Sequence, residues 1–346
     1  MPAKKTAKTK KALFRGKDYI TTQEWTDAEI ETLLAVSADL KRKFHKGIPH
    51  RYLPDKTIFL IFFDKSTRTR NSFEAGMTQL GGHAHFLTAD VMQVSHGESA
   101  KDTGIILSRY GHGIAIRHDL IPGEGNAYMR EVARWADVPV INMQCDVDHP
   151  CQTLADLMTI REKLGKNLRG RKVAVSWAYA PSYAKPLSVP QGLIMLLPRF
   201  GMNVTLAHPP EYFLMPETLQ AARRNAVAAG VHFEVANTME EAFRDADVVI
   251  PKSWGCLDTM GQKPEESLRI AKQYRHWICD AAKMKLARPG ALYMHPLPAD
   301  RGNEVTDEVI DGPHSVVYDE AENRLHTCKA IMALTMSQKE IRYQTL

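Results

Sequence analysis

The sequence lacks the paired cysteines, glycine-rich nucleotide motifs and long apolar runs that mark several large classes of protein. Five cysteines occur among its 346 residues, and they show neither C-x-x-C spacing nor the framework of a small disulfide-bonded domain. No G-x-G-x-x-G or Walker-type run is present, which argues against an ATP site and against a nicotinamide-linked dehydrogenase. No stretch is apolar for long enough to span a bilayer. We therefore expect a cytoplasmic protein without a membrane partner.

Acidic residues are absent from positions 1–17, which contain seven lysines and arginines. The formal net charge of +5 arises in this segment, because the remaining residues together carry about −2. We expect residues 1–17 to form a disordered basic tail, which lacks the apolar core of a secretory signal. The rest of the chain gives no indication of a nucleic-acid partner.

Metal-ligand patterns are also scarce. His83 and His85 alternate on a predicted strand and therefore share one face, but no third ligand follows nearby in the sequence. Because structural zinc sites usually have four protein ligands, the sequence predicts no metal site.

Apolar runs typical of strands alternate with helical patterns along the chain, which predicts an α/β fold with parallel sheets. A helical stretch over Gln152–Leu164 is expected to connect two domains. The predicted strands are Thr57–Phe63, His83–Leu87, Gly113–Arg117 and Val138–Met143 in the first half, and Lys172–Trp177, Asn203–Ala207, His232–Val235, Val248–Pro251 and Ala291–His295 in the second.

The most informative segment is Asp64–Arg70, which follows the first predicted strand and is rich in hydroxyl and guanidinium groups. A helix that starts here would direct backbone N–H groups and the positive end of its dipole at one point, where an anion can bind. An ordinary capped helix with a solvated basic first turn is the alternative. Arg68 and Arg70 face different ways on a helix, so we assign Arg68 to the ligand and Arg70 to an ion pair with Glu74.

Further polar residues follow other predicted strands, where ligands of open parallel sheets bind. Arg117 ends the third strand, and Gln144–Gln152 follows the fourth. In the second half, Lys252–Gly255 and His295–Arg301 occupy corresponding positions.

The Ser66–Arg70 block, Arg117, His149–Gln152 and His295–Pro298 resemble, in order and spacing, the carbamoyltransferase family that includes aspartate and ornithine transcarbamylases. The resemblance extends from about Phe59 to Met332. It implies two domains, each a mostly parallel sheet flanked by helices. A carbamoyl phosphate-binding domain would span residues 18–150, completed by a C-terminal helix over 323–346, and an acceptor-binding domain would span 151–322.

The resemblance implies that an amine of an amino acid attacks carbamoyl phosphate and expels phosphate, without a metal or organic cofactor. Thr69, Arg117 and His149 would be catalytic, through stabilisation of the developing oxyanion. The residues that would bind carbamoyl phosphate are Ser66, Thr67, Arg68, Thr69, Arg117, His149, Gln152, Leu297 and Arg324.

The acceptor is predicted from positions at which this chain differs from better-known members of the family. Ornithine enzymes typically have an acidic Asp-Thr-Trp where this chain has Lys252-Ser253-Trp254, and a lysine repels a free α-ammonium group. This form resembles the N-acetylornithine and N-succinylornithine enzymes, as does the proline-rich run 177–190, which in those relatives belongs to a knotted backbone. The implied acceptor residues are Gln144, Lys185, Lys252, Ser253, Trp254, His295, Pro296 and Arg301.

Two alternatives stay open. Thr259–Gln262 and Ala299–Thr306 are similar to ornithine enzymes, and Gln144 stands where an acetylornithine-type enzyme has Glu, so free ornithine is a second candidate acceptor. A protein that binds carbamoyl phosphate without catalysis is the other possibility.

The polar loop Gln93–Thr103, before a predicted helix over Thr103–Arg109, resembles the family's loop that enters the active site of a neighbouring subunit. By resemblance the protein is a homotrimer, and Ser95, His96 or Lys101 acts across the subunit interface.

Overall fold

The computed structural model describes residues 8–260 and 262–345, and the chain divides into two compact units. Unit 1 comprises the chain up to His118, Asn126–Gln144 and the segment from Glu322 onward. Unit 2 comprises Asp119–Gly125 and Cys145–Ala321. Compared with the expected division, unit 2 begins a few residues earlier and also takes in residues 119–125.

The strands and helices alternate along most of the chain. The strands are β1 (Lys8–Ala12), β2 (Thr57–Phe62), β3 (His83–Thr88), β4 (Gly113–His118), β5 (Val140–Cys145), β6 (Lys172–Trp177), β7 (Asn203–Ala207), β8 (Phe233–Ala236), β9 (Val248–Lys252), β10 (Leu292–Tyr293) and β11 (Ile341–Thr345). The helices are α1 (Asp27–His45), α2 (Arg68–Gln79), α3 (Ala100–Tyr110), α4 (Gly125–Trp135), α5 (Pro150–Leu164), α6 (Ser188–Leu196), α7 (Pro216–Ala229), α8 (Met239–Phe243), α9 (Pro264–Ala271), α10 (Ala281–Met284), α11 (Asp307–Ile310) and α12 (Val317–Met336).

The core of unit 1 is a four-stranded sheet in the order β3-β2-β4-β5, in which β2 pairs in parallel with both β3 and β4. The apolar β2 is buried from Ile58 to Phe62, as expected for a strand covered on both faces. The chain turns to opposite sides of β2 to form β3 and β4, and such a switch point is where open sheets bind ligands.

Helix α1 starts with a capping box. The Thr26 hydroxyl accepts from the backbone N–H of Glu29, and the Glu29 carboxylate accepts from that of Thr26. This pairing satisfies N–H groups that a helix start leaves without partners. It fixes the beginning of a helix that ends at His45.

Unit 2 contains a five-stranded sheet in the order β10-β9-β6-β7-β8. All of its pairs are parallel, and Trp177 at the end of β6 pairs with Lys252 at the end of β9. The α/β class and the parallel sheets are thereby confirmed, whereas the knotted backbone stays a prediction. None of the helices in the described ranges is both long and apolar enough to cross a membrane.

The predicted strands recur with small shifts, and Lys172–Trp177 and Asn203–Ala207 have the predicted bounds. The last strand is much shorter than expected, because only Leu292 and Tyr293 pair with β9. The backbone N–H of His295 instead donates to the Glu320 carboxylate, which removes this residue from the sheet.

Three expectations about the rest of the chain are wrong. The segment 8–17 is not a disordered tail: β1 pairs antiparallel with β11, and Phe14 N donates to the Leu334 carbonyl. The C-terminal segment is helical only to Met336 and then forms β11. Helix α3 begins at Ala100, where the Ser99 hydroxyl caps it, rather than at Thr103. Residues 1–7 of the expected tail, and Gly261 of the ornithine-like stretch, lie outside the described residues.

Helix α2 and strand β3 are joined at a point where only glycine fits. A Cβ atom added to Gly82 would lie 2.6 Å from the Lys56 carbonyl oxygen and 3.0 Å from that of Leu53. Backbone atoms at these distances cannot rotate away, so the close approach requires a residue without a side chain.

We expect Gly82→Ala to reduce the free energy of unfolding of unit 1 by ~1–3 kcal/mol, because the added methyl group forces the backbone apart. Gly76→Ala is the control, since the three atoms nearest to a Cβ there are side-chain atoms of Lys329, Met332 and Leu325, which can shift, and alanine favours a helix. Urea denaturation of both variants measures the difference. Equal denaturation midpoints would contradict the required close approach.

Candidate active site

Unit 1 brings four of the predicted residues together where β2 and β4 end and α2 begins. The Arg117 guanidinium donates to the Ser66 hydroxyl at 3.2 Å and lies 3.5 Å from the Thr69 hydroxyl. Arg324, from α12, donates to the same Thr69 hydroxyl at 3.0 Å. The Ser66 hydroxyl also accepts from the backbone N–H of Thr69 at 3.3 Å. Hydroxyl groups therefore hold two arginines at the positive end of a helix.

Arg68 completes a group of three positive charges. Burial, followed by the charges of Arg324 and Arg117, lowers the pKa of the Arg68 guanidinium. A guanidinium remains protonated in proteins, so the three charges stay next to one another. Their mutual repulsion is relieved when an anion binds between them, and the planar guanidinium matches phosphate oxygens.

The two arginines of α2 have different neighbours. Arg70 Nε donates to the Glu74 carboxylate at 2.9 Å, and its guanidinium lies 3.5 Å from the centre of the Phe86 ring. This confirms the predicted ion pair and leaves Arg68 as the arginine of α2 beside Arg117 and Arg324. Thr67, in contrast, is exposed and makes no side-chain capping bond.

The remaining predicted carbamoyl phosphate residues, His149, Gln152 and Leu297, belong to unit 2. His149 is buried immediately before α5, which begins with Pro150. The Gln152 side-chain amide donates to Asp156 at 2.6 Å and to Glu320 at 2.9 Å. Its side chain is therefore fixed by two carboxylates.

The His295-Pro296-Leu297-Pro298 segment has its own internal contact. The Leu297 N–H donates to His295 Nδ1 at 3.0 Å, and His295 is fully buried. Leu297 has a positive φ of 46° and the bond to Pro298 is cis, so the chain turns sharply here. Burial lowers the pKa of His295, which keeps the ring neutral and able to accept this bond.

Glu320 is a positioning residue that sequence reasoning missed. One of its carboxylate oxygens accepts from Gln152, and the other accepts from the backbone N–H of His295 at 2.9 Å. A single buried carboxylate thus joins two predicted site segments within unit 2. Glu320 precedes Arg324 by four residues, but nothing in the sequence indicated that it would bond to Gln152 and His295.

Glu304 is the second missed residue, and it lies in the core of the predicted acceptor region. Its carboxylate accepts from the backbone N–H and the hydroxyl of Ser253, at 2.6 and 2.7 Å. It lies 3.7 Å from Lys252 Nζ and 3.3 Å from His295 Nε2. Although burial acts to raise the pKa of Glu304, the Lys252 charge and the bonds it accepts hold that pKa well below its usual value.

The three cations among the predicted acceptor residues all have acidic neighbours in the structure. Lys252 is buried and donates to the Ser253 carbonyl at 3.1 Å beside Glu304. Lys185 pairs with Asp300 at 2.9 Å. Arg301 is exposed and pairs with Asp307 and Asp311, both at 2.6 Å, so an acceptor would have to displace two carboxylates there.

The other predicted acceptor residues have different environments. Trp254 is buried and its indole N–H donates to the Tyr212 carbonyl at 2.8 Å, which gives it a packing role in unit 2. Pro296 is half-buried, and Gln144 is buried at the end of β5 in unit 1. Ser95, His96 and Lys101 are exposed on or next to the loop before α3.

Two family models match the chain. The carbamoyl-P binding domain of aspartate/ornithine carbamoyltransferase matches residues 17–162, and the Asp/Orn binding domain matches residues 187–335. Among similar proteins, Escherichia coli YgeW, provisionally named a carbamoyltransferase, is 40% identical over 93% of this chain and 90% of its own length. The ornithine carbamoyltransferase of Thermococcus kodakarensis is also 40% identical, over 93% of this chain and 96% of its own.

Solved structures agree with these relatives. The ornithine carbamoyltransferase of Pyrococcus furiosus aligns with a TM-score of 0.84 at 39% identity, covering 94% of this chain and 98% of that one. An acetylornithine transcarbamylase complexed with acetylcitrulline aligns with a TM-score of 0.86 at 35% identity, covering 93% and 100%. Domain matches, relatives and the guanidinium cluster all lead to one assignment. The chain belongs to the aspartate/ornithine carbamoyltransferase family and is a carbamoyltransferase.

Proposed function

We propose that the protein transfers the carbamoyl group of carbamoyl phosphate to the side-chain amine of an ornithine-like amino acid whose α-amino group is substituted or absent. The observation that carries the donor half is the cluster of Arg68, Arg117 and Arg324, in which Arg117 and Arg324 contact the Thr69 hydroxyl. Three cations at a helix start suit a phosphate dianion. The acceptor half is supported by Lys252, which places a positive charge in the predicted acceptor region.

The reaction requires little beyond binding and charge stabilisation. The amine nitrogen bonds to the carbonyl carbon, and the bond from that carbon to the phosphate oxygen then breaks. The proton lost by the amine ends on the released phosphate. Because the Thr69 hydroxyl oxygen already accepts from Arg117 and Arg324, its O–H would act as the donor to a ligand oxygen. With Arg117 it would stabilise the oxyanion of the tetrahedral intermediate, the role that the family resemblance also implies for His149.

Lys252 argues against an acceptor with a free α-ammonium group. The Glu304 carboxylate beside it already accepts hydrogen bonds from Ser253 and pairs with Lys252. The α-ammonium group of a free amino acid would therefore enter without a carboxylate to pair with. A masked or missing α-amino group removes that repulsion. Free ornithine remains the alternative, because ornithine carbamoyltransferases are as similar to the chain as YgeW.

Arg68→Ala should lower kcat/KM for carbamoyl phosphate by about ten- to a hundredfold, the effect of losing a charge-assisted hydrogen bond. Arg70→Ala is the matched control, since that arginine pairs with Glu74 and should leave kcat/KM nearly unchanged. Initial rates with varied carbamoyl phosphate measure both variants. A larger loss in Arg70→Ala than in Arg68→Ala would reverse the assignment of the two arginines.

A panel of amines tests the acceptor. N-acetylornithine and N-succinylornithine should give higher kcat/KM than ornithine, putrescine or 2,3-diaminopropionate, because Lys252 disfavours a second ammonium group, and higher than aspartate, which has no side-chain amine. Ornithine as the best acceptor would refute the masked-amine proposal. Thermal protection by carbamoyl phosphate without turnover of any amine would instead favour a non-catalytic binding protein.

Hybrid trimers test whether the loop before α3 acts across a subunit interface. Mixing impaired Arg68→Ala chains with impaired Lys101→Ala chains should raise the activity above that of either variant, to as much as about a quarter of wild type, since random assembly forms some intact sites. Mixing Arg68→Ala with Arg117→Ala is the control, because both changes affect the same unit and cannot complement. Verified hybrid trimers with no activity would count against a shared site.

A further inference from the structure

Three side chains that could bind a metal ion lie in unit 1, between the end of α1 and α12. His45 is the last residue of α1, whereas Glu322 and His326 are one turn apart on α12. His45 Nε2 lies 2.7 Å from Glu322 Oε1, and His326 Nε2 lies 3.5 Å from the same oxygen. One oxygen, Oε1, thus faces both imidazole rings, and the three ligand atoms lie within 4.8 Å of one another.

This arrangement has the dimensions of a metal site. Zinc bonds of about 2.0–2.1 Å place the donor atoms of a tetrahedron about 3.3 Å apart, so the 3.5 Å separation of His326 fits, whereas exposed His45, at 2.7 Å, would move outward by about half an ångström. The i, i+4 spacing puts Glu322 and His326 on one face of α12, and His45 approaches from a second helix. His45 is exposed and Glu322 is half-buried, so an ion can reach the group, whereas His326 is buried and fixed in place.

We propose that His45, Glu322 and His326 bind a divalent transition-metal cation, best matched by Zn²⁺, with water completing the coordination. Two imidazoles and a carboxylate are a ligand set that zinc accepts. The other Glu322 oxygen, Oε2, lies 3.6 Å from Lys41 Nζ, which leaves Oε1 for the metal.

A metal here would join the end of α1 to the part of α12 that carries Arg324. Arg324 lies between the two α12 ligands in sequence, and it donates to Thr69 in the phosphate cluster. The proposed metal would thus restrain the helix segment that presents this arginine. A surface ion pair between Glu322 and a protonated His45 is the competing explanation for the short contact.

Zinc titration of the full chain by calorimetry distinguishes the two explanations. Wild-type protein should bind a single equivalent of Zn²⁺, and His45→Ala and Glu322→Gln should each weaken binding by at least about tenfold. His83→Ala is the matched control, because His83 is an exposed histidine of unit 1 that lies outside the cluster. Co²⁺ bound to wild-type protein should give the visible absorption of tetrahedral coordination.

Unchanged Zn²⁺ affinity in His45→Ala would overturn the proposal, as would absence of binding to wild-type protein. His45 is exposed, so its replacement leaves the core intact and the result does not depend on folding of the Glu322 variant. Circular dichroism of each variant verifies the fold. A loss of affinity in His83→Ala equal to that in His45→Ala would place the metal elsewhere and equally reject the site.

Discussion

Repulsion among Arg68, Arg117 and Arg324 is the constraint on which the rest of unit 1 depends. Three neighbouring guanidinium groups are costly unless an anion neutralises them, so the elements that carry them must be held rigidly. The parallel sheet supplies the ends of β2 and β4, and α12 supplies the third arginine. The Ser66 and Thr69 hydroxyls fix the fork of Arg117, which gives the anion a site whose geometry exists before binding.

Unit 2 also contains buried charged groups, but there both carboxylates and cations are present. Glu304 and Glu320 are buried carboxylates, and each accepts hydrogen bonds from more than one predicted site segment. Burial of an ion is costly unless the ion is paired and hydrogen-bonded. Removal of one partner leaves the other as an uncompensated buried charge, which destabilises the fold. These two acids therefore act through the residues they position, namely Ser253, Lys252, His295 and Gln152.

Much of the architecture was predictable because it depends on local patterns. Buried β2, the start of α2 and the pairing of Arg70 with Glu74 follow from apolar runs and helical spacing within a few residues. The pairing of β1 with β11 was not predictable, since β1 is an exposed basic segment whose partner strand lies more than 300 residues away in the sequence. The short β10 has a similar cause, because Glu320 takes the N–H of His295.

The sequence by itself determined the alternation of strands and helices, the phosphate-binding block and the membership of a carbamoyltransferase family, all of which rest on the order and spacing of residues. Only the tertiary structure decided which charges are compensated. In the sequence Lys252, Lys185 and Arg301 are simply three cations. In the structure Lys252 is buried beside Glu304, Lys185 pairs with Asp300, and Arg301 lies on the surface between two acidic residues. Such partners come from distant parts of the chain, and the free energy of a charge depends on those partners and on its distance from water.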